Sequence, residues 1–174
     1  YLQLFQQTID IDPFNADIQV LSARAKEHGI DDIDLDRTQW LDLLIGMVIQ
    51  PALPRDCLTF VYDFPVEQAA LARIRKGSPS LAERFELYLG QTELANGYQE
   101  LTNPDEQRQR FISDNRQRSQ RGLDSCVFDT RVLIAMEHGL PECAGVALGV
   151  DRLLMAICGA DSINEVTAFP FSRA

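Results

Sequence analysis

ERFELYLGQTELANGYQEL, residues 83–101, is the stretch whose reading decides the fold. Phe85, Leu87 and Leu89 alternate with Glu86 and Tyr88, which is the period of a strand. Gly90-Gln91 offers a two-residue turn, and the residues after it return as a second strand, so the spacing predicts a β-hairpin. With that turn Tyr88 stands opposite Glu93, and Glu86 becomes the diagonal same-face neighbour of Glu93. Diagonal positions lie roughly 7–8 Å apart, which leaves room for a hard cation between two carboxylates. Magnesium with a nucleotide phosphate suits such a pair, since that ion takes one or two carboxylates plus waters and phosphate oxygens. A solvated strand face with two unrelated acids is the competing account.

Further along the return strand Asn96, Tyr98 and Glu100 alternate and share a face. An amide, an aromatic ring and a carboxylate in that order can hold a polar molecule bearing an ammonium group, the acid pairing the charge and the ring covering methylenes. Strict alternation, however, puts Glu93 on the face opposite Asn96. A β-bulge between Leu94 and Gly97 is required for both groups to line one pocket.

A second informative stretch is GVALGVDRL, residues 145–153, where a glycine-containing strand runs directly into a helix. Gly145 and Gly149 let a base or phosphate approach the backbone, and Arg152 can give bidentate hydrogen bonds to a triphosphate. Glycines beside a helix also serve close packing alone.

Working outward, YLQLFQQT begins at Tyr1 rather than Met and reads as a helix already under way, which implies a piece of a longer protein. Helical spacing covers Asn15 to His28 before Gly29, and Asp36 is placed to cap a helix containing Trp40, Leu41 and Leu44 ahead of Pro51. Trp40 is read as a packing residue. CLTFVYDF, residues 57–64, predicts a buried strand. Glu67 to Ser80 predicts a helix or turn followed by a mobile tip. Asn103-Pro104 opens a long polar helix that Gly122 stops, and DTRVLIAMEH forms another ending at Gly139. Helices around antiparallel strands make the fold class α+β, an antiparallel sheet flanked by helices.

The formal net charge of -10 weighs against unaided nucleic-acid binding, which depends on cationic side chains displacing counterions. The arginines crowding residues 108–121 are diluted by Asp105, Glu106 and Asp114 and read as a solvated helix. Cys57, Cys126, Cys143 and Cys158 form no CxxC pair and read as reduced core thiols of a cytoplasmic protein. His28 and His138 each precede a helix-ending glycine and read as caps rather than catalysts. No apolar run approaches the length that crosses a bilayer.

Taken together, ERFELYLGQTELANGYQELTNPDEQRQRF and GVALGVDRLLM resemble the class II lysyl-tRNA synthetases in content, order and separation, over about Thr59 to Phe171. The resemblance implies a C-terminal part of a class II catalytic domain over residues 1–174, with 1–56 a helical insertion and 57–174 the sheet bearing the hairpin and the third signature motif. It implies that Glu86 and Glu93 hold Mg2+ on the phosphates of ATP, with the Leu94 backbone near the nucleotide. Asn96, Tyr98 and Glu100 correspond to the lysine pocket, Glu100 to the acid on the side-chain ammonium. Arg152 corresponds to the arginine on the triphosphate, Gly149 to the glycine beneath the nucleotide, and Glu93 with Arg152 to the catalytic electrostatics.

One departure narrows the resemblance. Where the synthetases carry GxGxGxDR, this chain reads GVALGVDR, with Ala147 at the middle glycine. That form is similar to the shorter paralogues that ligate (R)-β-lysine to elongation factor P and lack an anticodon-binding domain. An added methyl would crowd an α-amino acid and favour one whose amine is displaced by a carbon.

The activity so implied is ATP-dependent activation of lysine or β-lysine as an adenylate, followed by transfer to a lysine of elongation factor P. Transfer to lysine tRNA is the alternative, and a non-catalytic regulatory module that keeps the fold is a third. A homodimer is expected of the full-length protein. The first and second signature motifs do not occur in this stretch, so no adenylate synthesis is expected of it alone.

Overall fold

The structure is a computed structural model that describes residues 1–31 and 33–171. Two regions build it. The first is helical: α1 (Leu2–Ile9), α2 (Ile18–Glu27) and α3 (Arg37–Leu44), the last continuing through a π-helical turn at Ile45–Ile49 and a 3-10 turn at Gln50–Ala52. Asp17 caps α2 by accepting from the Val20 N–H. Asp36 forms a reciprocal capping box with Gln39, so each satisfies a backbone N–H that the helix leaves unpaired.

The second region is a five-stranded antiparallel sheet of β1 (Leu58–Pro65), β2 (Ile74–Arg75), β3 (Leu81–Leu89), β4 (Thr92–Gln99) and β5 (Ala144–Leu148). The strands run in the order β1-β3-β4-β5, with β2 also paired to β3. The predicted hairpin is β3 and β4, turning through Gly90 at a φ of 54°. Between β4 and β5 lie α4 (Pro104–Gln120) and α5 (Thr130–Glu137), and α6 (Val150–Cys158) and α7 (Ile163–Val166) follow β5.

Three expectations are corrected. The helix or turn expected from Glu67 is the 3-10 turn at Val66–Gln68, but it is followed by a strand: Ile74 and Arg75 pair with β3, flanked by the Arg73 N–H donating to the Gln99 carbonyl and the Arg73 carbonyl accepting from the Glu83 N–H. β1 is not a buried strand. It lies at the sheet edge, where Leu58, Phe60 and Tyr62 stay exposed while Val61 and Phe64 are buried. The cysteines are free thiols, as expected, but Cys57, Cys126 and Cys158 are exposed rather than in the core.

The core forms where the helical region meets one sheet face. Tyr1, Phe5, Trp40, Leu41, Leu44 and Ile49 pack with Val61, Phe64, Ala82 and Tyr88. This inverts the simple reading of β3: the face bearing Glu86 and Tyr88 is the buried one, and Phe85, Leu87 and Leu89 are half-exposed. Burial of the polar face is tolerated because its groups bond to one another.

The arginines of α4 do not form a free basic surface. Arg108 pairs with Glu137 at 2.8 Å and Arg110 with Glu106 at 2.6 Å, Arg118 donates to the Asp124 carbonyl, and Arg121 reaches back to Asp36. His28 is the C-cap residue of α2, and His138 sets Nδ1 2.7 Å from the Ile134 carbonyl, so both imidazoles stand at helix ends.

Asp36 therefore serves twice, as the α3 cap and as the anchor of Arg121. Asp36→Ala is expected to lower stability by about 1 kcal/mol from the cap, with at most a little more from the exposed ion pair. The thermal midpoint should fall by about 2–4 °C.

Candidate functional site

Antiparallel pairing sets the site out as cross-strand rows on the face that carries Glu86. Val61, Glu86, Asn96 and Ala147 stand side by side from β1 to β5. Arg84, Tyr98 and Gly145 form the neighbouring row on one side, and Tyr88 with Glu93 the row on the other. Glu100 follows Tyr98 beyond the end of β4, bridged to Ala72 and donating its N–H to the Cys143 carbonyl.

What brings these residues to one face is a bulge. Tyr88 pairs with Glu93, but Leu87 pairs with Ala95, so Leu94 is an extra residue in β4. It falls within the interval where the sequence required one. Glu93 and Asn96, three residues apart, thereby point the same way.

The bulge is tied to the start of α6. The Gly149 N–H donates to the Leu94 carbonyl at 2.8 Å, and Arg152 Nη1 donates to the Glu93 carbonyl at 2.9 Å. Arg152 also lies 3.9 Å from the Glu93 carboxylate. Its side chain remains 54% exposed, so it can still meet a ligand. Gly149 lies beneath it: the nearest atoms to an added Cβ would be the Arg152 methylenes, in ordinary contact at 3.4–3.6 Å.

Glu86 is held differently. Its carboxylate accepts from Arg84 Nη2 at 2.6 Å and from the Tyr88 hydroxyl at 2.5 Å, and only 9% of the residue is exposed. Arg84 in turn donates to the Gln68 carbonyl at 2.7 Å and lies over the Phe64 ring, while Gln68 donates to Asp42 at 2.5 Å. A buried polar chain thus links the helical region to the hairpin. The sequence reading passed over Arg84, although alternation alone places it on the face of Glu86 and Tyr88.

Burial pushes the Glu93 carboxyl above its ordinary range, and the neighbouring Glu86 charge adds to that effect; Arg152 and Arg84 offset part of it. A carboxylate whose proton affinity is raised beside a second acid forms a donor set suited to a divalent cation. Each Glu86 oxygen accepts one bond from the protein and retains a second lone pair. The residues present therefore fit a magnesium ion held chiefly by Glu93, with Glu86 behind it.

The other half of the site has acceptors without donors. Asn96 Oδ1 is buried and unpaired. The half-buried Glu100 carboxylate makes no hydrogen bond or ion pair among the described residues, and its Oε1 lies against Gly145. Tyr98 stands between them and packs partly on the core. A ligand carrying positive N–H groups would complete both acceptors. The surface is an open shelf; the cavity of about 620 Å³ that includes Arg84 is lined by Asp42, Gln68, Glu106 and Arg110 among others, and not by Glu93, Asn96 or Glu100.

Comparison with known proteins points the same way. The sequence profile of the class II tRNA synthetases (D, K and N) matches residues 16–173. An elongation factor P--(R)-beta-lysine ligase of Klebsiella pneumoniae is 48% identical over the whole of this chain and 54% of its own length. Proteins of the same name from Yersinia enterocolitica and Vibrio cholerae are 46% and 45% identical, again over the whole of this chain. The chain spans about half the length of these curated relatives. Among the described residues, no helix is long and apolar enough to cross a membrane.

Because the folded state raises the Glu93 pKa, it holds more protons than the unfolded state between the ordinary and the raised value. The resulting penalty is absent below the ordinary value and fully present above the raised one. Glu93→Gln should therefore melt higher than the parent near neutral pH without ligand. Melting curves taken down to about pH 4 should show that advantage shrinking as Glu93 itself becomes protonated.

Proposed function

The chain belongs to the class II tRNA synthetases, and from that premise we propose that it is part of an ATP-dependent ligase that activates lysine or β-lysine and transfers it to a lysine of elongation factor P. The observation that carries this reading is the pairing of two half-sites by one bulge. Glu93 and Arg152 form a phosphate-facing group, and the unpaired acceptors of Asn96 and Glu100 stand beside them. A substrate that enters both must bring a triphosphate together with a molecule rich in ammonium groups.

In this mechanism Glu100 receives the substrate's distal ammonium and Tyr98 covers its methylenes. Asn96 orients the amino group near the reacting carboxylate. That carboxylate attacks the α-phosphate of ATP, giving an aminoacyl adenylate and releasing pyrophosphate. Arg152 stabilises charge on the phosphates, and Gly149 leaves room above the backbone for the nucleotide. Magnesium bound by Glu93 and Glu86 would supply further charge neutralisation. The acceptor amine then attacks the carbonyl of the mixed anhydride, the acyl–phosphate bond breaks to release AMP, the amine gives up a proton to solvent, and an amide remains, so no side-chain nucleophile is needed.

A protein acceptor is favoured by two observations besides the relatives' names. The arginines of α4 with the bonds described above are spoken for within the chain, and the net charge is -10. Ala147 stands directly beside Asn96, where its methyl narrows the space for the substrate's amino group. This is where a β-amine, set one carbon further from the carboxylate, fits better than an α-amine. The site belongs to the full-length protein, which is proposed to act in the cytoplasm as a homodimer.

The deciding experiment incubates the full-length protein with ATP and each lysine isomer, offering elongation factor P or lysine tRNA. Elongation factor P should gain the mass of one lysine residue; charging of the tRNA instead would overturn the acceptor assignment. Glu100→Gln should raise the KM for the amino acid by roughly 10–100-fold, the worth of a charged hydrogen bond, with the KM for ATP little changed. Ala147→Gly should shift the isomer preference toward α-lysine, and an unchanged preference would remove the steric account.

A further inference from the structure

Gly145 was read from the sequence as a glycine that lets a nucleotide approach, but it faces the other half of the site. It pairs with Tyr98, one row beyond Asn96 and Ala147 and away from Arg152. A Cβ built on Gly145 would overlap Glu100 Oε1, closer than non-bonded carbon and oxygen atoms approach, with Glu100 Cδ at 3.3 Å. The third-nearest atom is again of Glu100, its Cγ at 3.9 Å. The space a side chain would take at residue 145 is therefore occupied first by the Glu100 carboxylate.

We propose that Gly145 is a specificity-determining positioning residue: its bare Cα lets the Glu100 carboxylate lie across β5, and this places the negative end of the amino-acid site. The inference rests on the reading of Glu100 as the acceptor of the substrate's distal ammonium. Among the described residues the Glu100 carboxylate has no donor to fix it, so the shape of the floor beneath it sets where it rests. Any side chain at residue 145 pushes the charge outward, toward the position of the ligand, and shortens the slot. A shortened slot rejects a long diamino acid and leaves the ATP shelf at Glu93 and Arg152 untouched.

A second glycine supplies the contrast. A Cβ on Gly97 would meet the Gly145 carbonyl at 2.6 Å and the Phe85 ring at 2.8 and 2.9 Å. Backbone and a packed ring cannot withdraw, so a side chain there strains the fold. At Gly145 the obstructing atom is the free end of a flexible side chain, so a substitution is absorbed by moving Glu100. The two positions separate a folding role from a positioning one.

The test uses the full-length protein and ATP–pyrophosphate exchange with lysine and (R)-β-lysine, beside thermal melts. Gly145→Ala should melt close to the parent, raise the amino-acid KM at least about tenfold and leave the ATP KM within about twofold, while Gly97→Ala should lose thermal stability. The double variant Gly145→Ala with Glu100→Asp should recover part of the lost affinity relative to Gly145→Ala, because the shorter acid clears the new methyl. Equal loss of amino-acid and ATP affinity, a collapse of stability in Gly145→Ala, an unchanged amino-acid KM, or no recovery in the double variant would each overturn the proposal. Absence of exchange by the parent protein with both amino acids would instead strike the functional reading itself.

Discussion

A single extra residue in β4 governs the site. Leu94 shifts the register by one, and every site residue before it on that strand changes face relative to those after it. Without the bulge Glu93 would lie behind the sheet from Asn96. A bulge interrupts the ladder and needs other partners for the groups it frees. Here the Leu94 and Glu93 carbonyls are taken by the Gly149 N–H and by Arg152. The start of α6 therefore helps to hold the distortion that brings Glu93 and Asn96 to one face.

The helical region contributes from the opposite side. By packing on Val61, Phe64 and Tyr88 it removes water from Glu86, and a buried acid needs compensation. Arg84 supplies the charge and Tyr88 a hydroxyl, while Asp42 and Gln68 extend the network into α3 and the turn before β2. Burial holds Tyr88 in its neutral, donating form: its pKa is raised first by desolvation and then by its bond to Glu86. Glu86 is thus constrained at both oxygens, whereas Glu93, more exposed and opposed only at 3.9 Å by Arg152, keeps freedom to bind. The two acids of the pair differ in setting, one fixed in the scaffold and one more exposed.

How much of this was legible in the sequence follows from what kind of physics set each feature. The hairpin, its turn and the bulge could be read, because alternation and the need for Glu93 and Asn96 to share a face are local. Helix ends at Asp36, Gly29 and Gly122 were legible for the same reason, each being decided by a cap or a stop. The strand at Ile74–Arg75 was not, since its pairing depends on hydrogen bonds to Glu83 and Gln99, distant in sequence. Nor was the choice of buried face. Phe85, Leu87 and Leu89 look like the core face by composition, and only the arrival of the helical region on the other side makes Glu86 and Tyr88 the buried pair. The roles of the site residues came from the resemblance, and the geometry adds which of them are neighbours.

On the proposed function, the row Glu86–Asn96–Ala147 would couple amino-acid choice to phosphate chemistry. Adjacent Cβ atoms in such a row are about 4.5–5.5 Å apart, so a change at one position is felt at the next. Ala147 limits the space beside Asn96; Asn96 stands beside the acid that backs Glu93; and Glu93 is joined through its carbonyl to Arg152. A substrate whose amine sits badly against Ala147 would therefore be displaced at its carboxylate as well. Such misplacement acts on rate as well as affinity, because attack on the α-phosphate demands close alignment of the reacting atoms. On the proposed reading, a methyl group at residue 147 in this way selects between isomers that differ only in the position of one amine.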